Sequence, residues 1–189
     1  KVKADSSDGE AWEEFYAPLK EEYRAYLTLS ASKYGGQAVL VKRTLAEPEV
    51  LYNMKGSQGH YPSGRFIKLE FPAISVRSVY VPFNGVGKEH QLDRRQEWDD
   101  RLLDEMADSC REGKARILMG DLNAVNKDED MTPHETFWLK QGRQDIEMDN
   151  RGFGGTTRNE RKRLEEILSW GDLSDTYITP TNPMEARYT

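Results

Sequence analysis

Apolar residues recur along this chain in two rhythms. Across 10–26, Trp12, Phe15, Tyr16, Leu19, Tyr23 and Tyr26 fall at three- and four-residue spacings, which predicts an amphipathic helix. Pro18 predicts a kink or split in it, because its ring removes an amide donor and crowds the preceding turn. Gly35 and Gly36 then open a predicted strand at 37–42. At 66–71, Ile67, Leu69 and Phe71 alternate with Lys68 and Glu70, and a second alternating run covers 74–81. With Pro72-Ala73 between them, the two runs predict an antiparallel hairpin.

The strongest helical pattern is 91–111, with Trp98, Leu102, Leu103, Met106, Ala107 and Cys110 on one stripe. Directly after it stands Ile117-Leu118-Met119-Gly120-Asp121-Leu122-Asn123. This reads as a buried strand delivering Asp121 and Asn123 to a sheet edge, one spacer apart and therefore on one face. Thr132-Pro133-His134-Glu135 predicts an N-cap and a short helix through Leu139. The stretch 141–157 lacks a sustained pattern, 159–170 predicts a helix with Leu164, Ile167 and Leu168 inward, and 179–189 reads as loop. Helices alternating with strands imply a layered α/β protein.

Length and charge narrow this picture. The 189 residues suit one domain, 1–189, with a sizeable core. A net charge of −6 excludes a wholly basic nucleic-acid coat but not a nucleic-acid enzyme, since an acidic site can sit beside a local basic patch. Cys110 is the single cysteine, so no internal disulfide is possible and a reducing intracellular compartment is expected, without a choice among nucleus, organelle and bacterial cytoplasm. No apolar run reaches the roughly 18 residues of a membrane span.

Candidate chemistry sits mainly at strand ends. A carboxylate and a carboxamide together, Asp121 and Asn123, can take a proton from water and hold an oxyanion or phosphate oxygen, although an ordinary polar turn accounts for them equally well. Tyr80 ends a strand in frame with Ile74 and Val76, which is a core position as readily as a catalytic one. Asn84-Gly85 is by default a turn. Arg158, Arg161, Lys162 and Arg163 form either a solvated helix face or a phosphate-binding cluster. His60, His90 and His134 have no metal-ligand spacing with Cys110, and no Gly-rich phosphate cradle is present.

In order, however, these segments form a pattern. Tyr34-Gly35-Gly36, Gly64-Arg65, Tyr80-Val81-Pro82-Phe83-Asn84-Gly85, Gly120-Asp121-Leu122-Asn123 and Thr157-Arg158-Asn159-Glu160-Arg161, followed by Ser169 to Tyr177, resemble the endonuclease/exonuclease/phosphatase superfamily. More closely they resemble the exonuclease III class of abasic-site DNA endonucleases, over almost the whole chain. The resemblance implies a four-layer, DNase I-like two-sheet α/β sandwich with its site at one sheet edge. It implies Asp121 as orienter or base for the attacking water, Asn123 as its partner on water or phosphate, and Tyr80 at the scissile phosphate. Asn84 corresponds to an asparagine after Val-Pro, with Phe83 intervening. Arg65, Tyr34 and Arg161 are candidate DNA-backbone contacts. A Mg²⁺ ion would polarise the phosphate and neutralise the leaving oxygen.

The same resemblance sets an expectation of incompleteness. Lys1 matches the lysine that follows the family's metal-binding glutamate, and the chain stops at Thr189 before the Ser-Asp-His segment. The main metal ligands, the histidine and both terminal strands are therefore expected outside this chain, and the isolated polypeptide is expected to hydrolyse little. Three readings follow: an enzyme core cutting DNA 5′ to abasic sites, with 3′-exonuclease action as a second activity; a non-catalytic or split relative completed by another chain or assembly; or a cousin acting on RNA or phosphoinositides.

Overall fold

The computed structural model describes residues 6–30, 35–54, 64–85, 89–110, 113–127, 130 and 147–176. Its elements are α1 (Ser6–Tyr16), β1 (Tyr23–Thr28), β2 (Gln37–Lys42), β3 (Glu49–Leu51), β4 (Phe66–Glu70), β5 (Ile74–Tyr80), α2 (Glu89–Cys110), β6 (Ala115–Asp121) and α3 (Arg158–Trp170), with a 3₁₀ turn at Met148–Asn150. The chain divides into two compact units, residues 1–81 with 113–122 and residues 82–112 with 123–189, and each is taken by itself. The short helix expected at 133–139 lies outside the described residues.

The first unit is a pair of sheets. β1 and β2 form one antiparallel ladder, and β3-β4-β5-β6 form the other. The expected hairpin is β4 and β5, antiparallel from Phe66↔Val79 to Glu70↔Ser75. Val39 and Val41 of β2 cluster with Ile67 and Leu69 of β4, and Tyr26, Val50, Tyr52, Phe71 and Val76 pack at the margin. Alternation along each strand turns these side chains to one side, so the period of two in the sequence becomes the core of a stacked pair of sheets.

Two expectations change here. The helix predicted over 10–26 stops at Tyr16, and Tyr23 and Tyr26 stand on β1 instead. Pro18 cannot donate to extend the helix, and the chain turns through Leu19 N donating to Tyr16 O at 2.8 Å and Tyr23 N to Leu19 O at 2.8 Å. The β1 amides then pair with β2 from Tyr23↔Lys42 to Thr28↔Gln37. The 117–123 strand was expected to be buried, yet Ile117 and Met119 are 43% and 41% exposed. β6 stands at an edge of its sheet, and the facing β1-β2 ladder lies over β4 and β5.

β6 runs parallel to β5, which places Tyr80 opposite Asp121 and Val79 opposite Gly120. Gly120 takes φ +125°, and a Cβ there would lie 2.0 Å from the Val79 carbonyl oxygen. Only glycine lets the strand close on its neighbour just before Asp121.

In the second unit α2 turns Trp98, Leu102 and Met106 fully inward, with Leu103 and Ala107 half-buried, as its stripe predicts. α3 buries Leu164 and Ile167 and packs against α2. Its start is a full capping box: Thr157 Oγ1 accepts from Glu160 N, and the Glu160 carboxylate accepts from Thr157 N.

The close approach at Gly120 makes a direct prediction. Gly120→Ala should lower unfolding stability by about 2 kcal/mol or more, because strain in φ and overlap with a backbone carbonyl add. Urea denaturation of the two proteins measures it, and an unchanged midpoint would remove the contact as a constraint on β6.

Candidate functional site

Within the first unit, the C-terminal ends of β5 and β6 carry Tyr80 and Asp121 as direct register partners. In a parallel pair, partners in register share a face, so the phenol and the carboxylate are lateral neighbours at the sheet end. The main chain is fixed there by Val81 N donating to Asp121 O at 2.9 Å and Tyr80 N to Arg65 O at 3.0 Å. Asp121 is exposed and Tyr80 half-buried, so both can meet a solute.

Arg65 supports this pair. It is 8% exposed, donates from Nη1 to the Tyr80 carbonyl at 3.0 Å, and lays its guanidinium over the Tyr80 ring, 4.4 Å from the centroid. A cation over the ring face is attracted by its quadrupole and fixes the ring's tilt. The structure thus shows Arg65 engaged with Tyr80.

The second unit holds a different arrangement, centred on a residue that the sequence reading did not single out. Arg95, on α2, is 3% exposed. Its Nε donates to Asp99 Oδ2 at 2.8 Å, one helical turn on. Its Nη1 faces three acceptors: Asn123 O at 2.8 Å, Pro82 O at 3.2 Å and Glu160 Oε1 at 3.2 Å. The other Glu160 oxygen accepts from Gly155 N at 2.7 Å, Thr157 Oγ1 at 2.8 Å and Thr157 N at 3.2 Å. One guanidinium therefore ties the loop after β5, the turn after β6 and the first turn of α3 together.

This cluster holds two buried carboxylates against one of the cations. Burial pushes Asp99 up to about 6, with Arg95 pulling the other way. Burial likewise raises Glu160, opposed by Arg95 and by the Thr157 and Gly155 donors. Beside the cluster lies a cleft of about 290 Å³ between α2 and α3, lined by Asn84, Arg95, Asp99, Asn159, Glu160 and Arg163 among others.

Asn123 is not the strand residue that its spacing predicts. β6 ends at Asp121, and Asn123 adopts φ +44° in the left-handed region, so the one-face rule for alternate strand residues does not reach it. Asn84 is 2% exposed, and its Oδ1 is buried without a hydrogen-bond partner among the described residues. The neighbouring Phe83 packs its ring 5.7 Å from that of Phe153. Arg161 is half-buried within α3, Arg158 pairs with Asp149 at 3.1 Å, and Arg163 pairs with Glu166 at 2.7 Å. Part of the expected basic face is thus neutralised locally. Tyr34 lies outside the described residues.

A divalent cation would need several oxygen or nitrogen ligands converging. Among the described residues no three His, Cys, Asp or Glu side chains do so. Asp121 alone does not make such a shell, so the described residues do not fit a complete metal centre. No helix among them is long and apolar enough to cross a membrane.

Sequence signals for the missed residues exist. Thr157 and Glu160 have capping-box spacing, and Arg95 and Asp99 stand at i and i+4 on a helix. Nothing in those spacings says that Arg95 reaches Asn123, 28 residues further on.

Comparison with known proteins supplies the lineage. The family model described as the Endonuclease/Exonuclease/phosphatase family matches residues 6–183. A DNA-(apurinic or apyrimidinic site) endonuclease of Plasmodium berghei is 33% identical over 160 residues, covering 83% of this chain and 29% of that protein. An exodeoxyribonuclease of Bacillus subtilis is 32% identical over 158 residues, covering 79% of this chain and 60% of that protein. Among solved structures, a 3′ phosphatase from Neisseria bound to a product DNA hairpin superposes with a TM-score of 0.62 at 16% identity, over 82% of this chain and 53% of its own. The chain spans less than two thirds of each, and the structural likeness establishes the expected DNase I-like α/β architecture.

The buried acid pair predicts a pH effect. A folded-state value of about 6 for Asp99 lies above the ordinary 3.8, so the folded protein binds the proton more tightly than the unfolded chain. The contribution to stability is then full below about pH 4 and is lost as pH rises through 6, on the order of 2–3 kcal/mol. The stability of wild type minus that of Asp99→Asn, measured by denaturation from pH 4 to 8, should fall by that amount as Asp99 ionises in the folded protein. A pH-independent difference would show that Asp99 ionises normally.

Proposed function

This chain belongs to the endonuclease/exonuclease/phosphatase family, and on that premise we propose that it is the central part, one partial domain, of a DNA-repair phosphodiesterase that cuts DNA 5′ to abasic sites. Its DNA-directed relatives support the reading, including an apurinic or apyrimidinic site endonuclease and an exodeoxyribonuclease. A 3′-exonuclease action is the second activity in the proposal. The single Cys110 suits work in a reducing intracellular compartment.

The observation that carries it is the pairing of Tyr80 with Asp121 across β5 and β6, with Arg65 over the Tyr80 ring. In the proposed mechanism Asp121, exposed at the strand end, accepts a proton from the attacking water. As the proton passes to the carboxylate, the water oxygen bonds to phosphorus and the P–O3′ bond 5′ to the abasic site breaks, its oxygen leaving as a 3′-hydroxyl that takes its proton from the Asp121 carboxyl or from solvent. Tyr80 donates its O–H to a non-bridging phosphate oxygen, where charge grows as the pentacoordinate phosphorus develops. The Arg65 cation over the ring face favours the electron-rich phenol in a fixed direction. It acts on phosphate through Tyr80, and a direct DNA-backbone contact by Arg65 or Arg161 is a further part of the proposal. Asn123 and Asn84 offer carboxamides that bind phosphate oxygens or the water. When bound, Mg²⁺ would supply charge neutralisation at the phosphate, and its ligands are not gathered among the described residues.

The native gene product, incubated with a duplex bearing one abasic site and Mg²⁺, should give a single nick on the 5′ side. Asp121→Asn should then lower turnover by about two orders of magnitude or more, the range for removal of a positioned general base. No nicking by the native protein would reject the reading, and an unchanged Asp121→Asn rate would remove Asp121 from the role.

A further inference from the structure

Among the described residues, two non-glycines adopt positive φ: Asn123 at +44° and Asp172 at +48°. Asp172 follows the end of α3 at Trp170 and Gly171, where chains commonly pass through such a conformation. Asn123 has no helix end to explain it. A left-handed backbone is disfavoured for a residue with a side chain, less so for asparagine than for most, and it persists where its surroundings hold it.

Those surroundings are visible. The Asn123 carbonyl oxygen receives Arg95 Nη1 at 2.8 Å, the shortest of the three contacts at that nitrogen. On the other side stands Gly155, at φ +85°, where a Cβ would come within 2.9 Å of the same oxygen. Val125 N donates to Gly155 O at 2.8 Å, so the chain leaving Asn123 is bound to the strip that confines it. Arg95 is itself fixed at three further points, by Asp99, Glu160 and the Pro82 carbonyl. The oxygen of Asn123 is therefore held between a charged donor and a backbone that tolerates no side chain.

We propose that Arg95 is a positioning residue for the nuclease reaction: with Gly155 it locks Asn123 in its left-handed backbone, and so sets the direction in which the Asn123 carboxamide is presented. Reversal of φ at Asn123 would swing its Cβ, and the amide with it, to another direction. The proposal rests on Asn123 acting on substrate as described above. It adds that this action is governed from α2. Lysine cannot replace the guanidinium, since a single ammonium lacks the planar fork that serves Asp99 and Asn123 at once.

The test combines Arg95→Lys, Asn123→Ala and the double variant in the native gene product, all checked for folding by circular dichroism. Arg95→Lys should lower kcat for abasic-site cleavage by about tenfold or more with KM within about twofold, the pattern for an interaction made in the transition state. In the Asn123→Ala background the same change should have almost no further effect, because the group through which it acts is gone. Costs that simply multiply would overturn the proposal. Backbone ¹³C shifts of Asn123 give an independent readout: the positive-φ signature should vanish in Arg95→Lys, and its retention would overturn the clamp. Should Arg95→Lys not fold, Gly155→Ala, which presses on the same oxygen and leaves the Arg95 side chain itself unchanged, must abolish the positive-φ signature of Asn123 or the proposal fails. If the native protein cuts no abasic DNA, the nuclease reading falls, and the shifts alone decide whether the clamp exists.

Discussion

A guanidinium removed from water must find acceptors for its N–H groups, or its burial costs several kcal/mol. Arg95 meets that demand with two carboxylates and two backbone carbonyls drawn from four segments. The demand runs the other way as well. Asp99 and Glu160 are almost fully buried, and losing the guanidinium would leave two acids facing each other in a low-dielectric interior. Among the described residues, Arg95 is the buried cation that joins the first turn of α3, the turn at Asn123 and the loop at Pro82. The helices α2 and α3 also pack against each other, but apolar packing is tolerant of small shifts. A forked, charged donor is not, because its bonds weaken steeply with angle.

The first unit rests on a different constraint, the lateral spacing of two parallel strands. Tyr80 and Asp121 face each other because β5 and β6 pair without a slip over seven register positions. A slip of one residue would turn each side chain of one strand to the opposite face. Gly120 narrows the choice further: with Val79 O where its Cβ would be, any other residue pushes the strands apart next to the carboxylate. Exposed Ile117 and Met119 show that β6 is not held by burial on that face. Backbone pairing keeps it in place, and the position of Asp121 beside Tyr80 depends on that pairing.

Local pattern accounts for much of this architecture. The hairpin of β4 and β5, the long α2 and the capped α3 follow from local pattern, because alternation, a 3.6-residue stripe and a Thr-x-x-Glu start each describe a short stretch of chain. The first helix was misjudged where two periods coincide: Tyr23 and Tyr26 fit a helical stripe, but Pro18 ends the helix and the partner strand 37–42 recruits the rest. No local pattern reports the presence of a partner strand. The burial of 117–123 failed for a related reason, since an apolar run cannot say which of its faces a second sheet will cover.

The amino-acid sequence by itself determined which side chains are candidates for the chemistry. Tyr80, Asp121 and Asn123 were identifiable from ordered motifs, and Asp121 does stand at a strand end beside Tyr80. Tertiary structure decided what supports them. Arg65 is a candidate DNA contact by motif, and the fold adds its guanidinium over the Tyr80 ring. Asn123 was a strand neighbour of Asp121 until its backbone was found left-handed and held by Arg95. Motifs record residue types at near spacings, whereas a buried cation is satisfied by whichever carbonyls the folded chain brings to it. Those partners lie 13, 28 and 65 residues away, beyond the reach of any local rule.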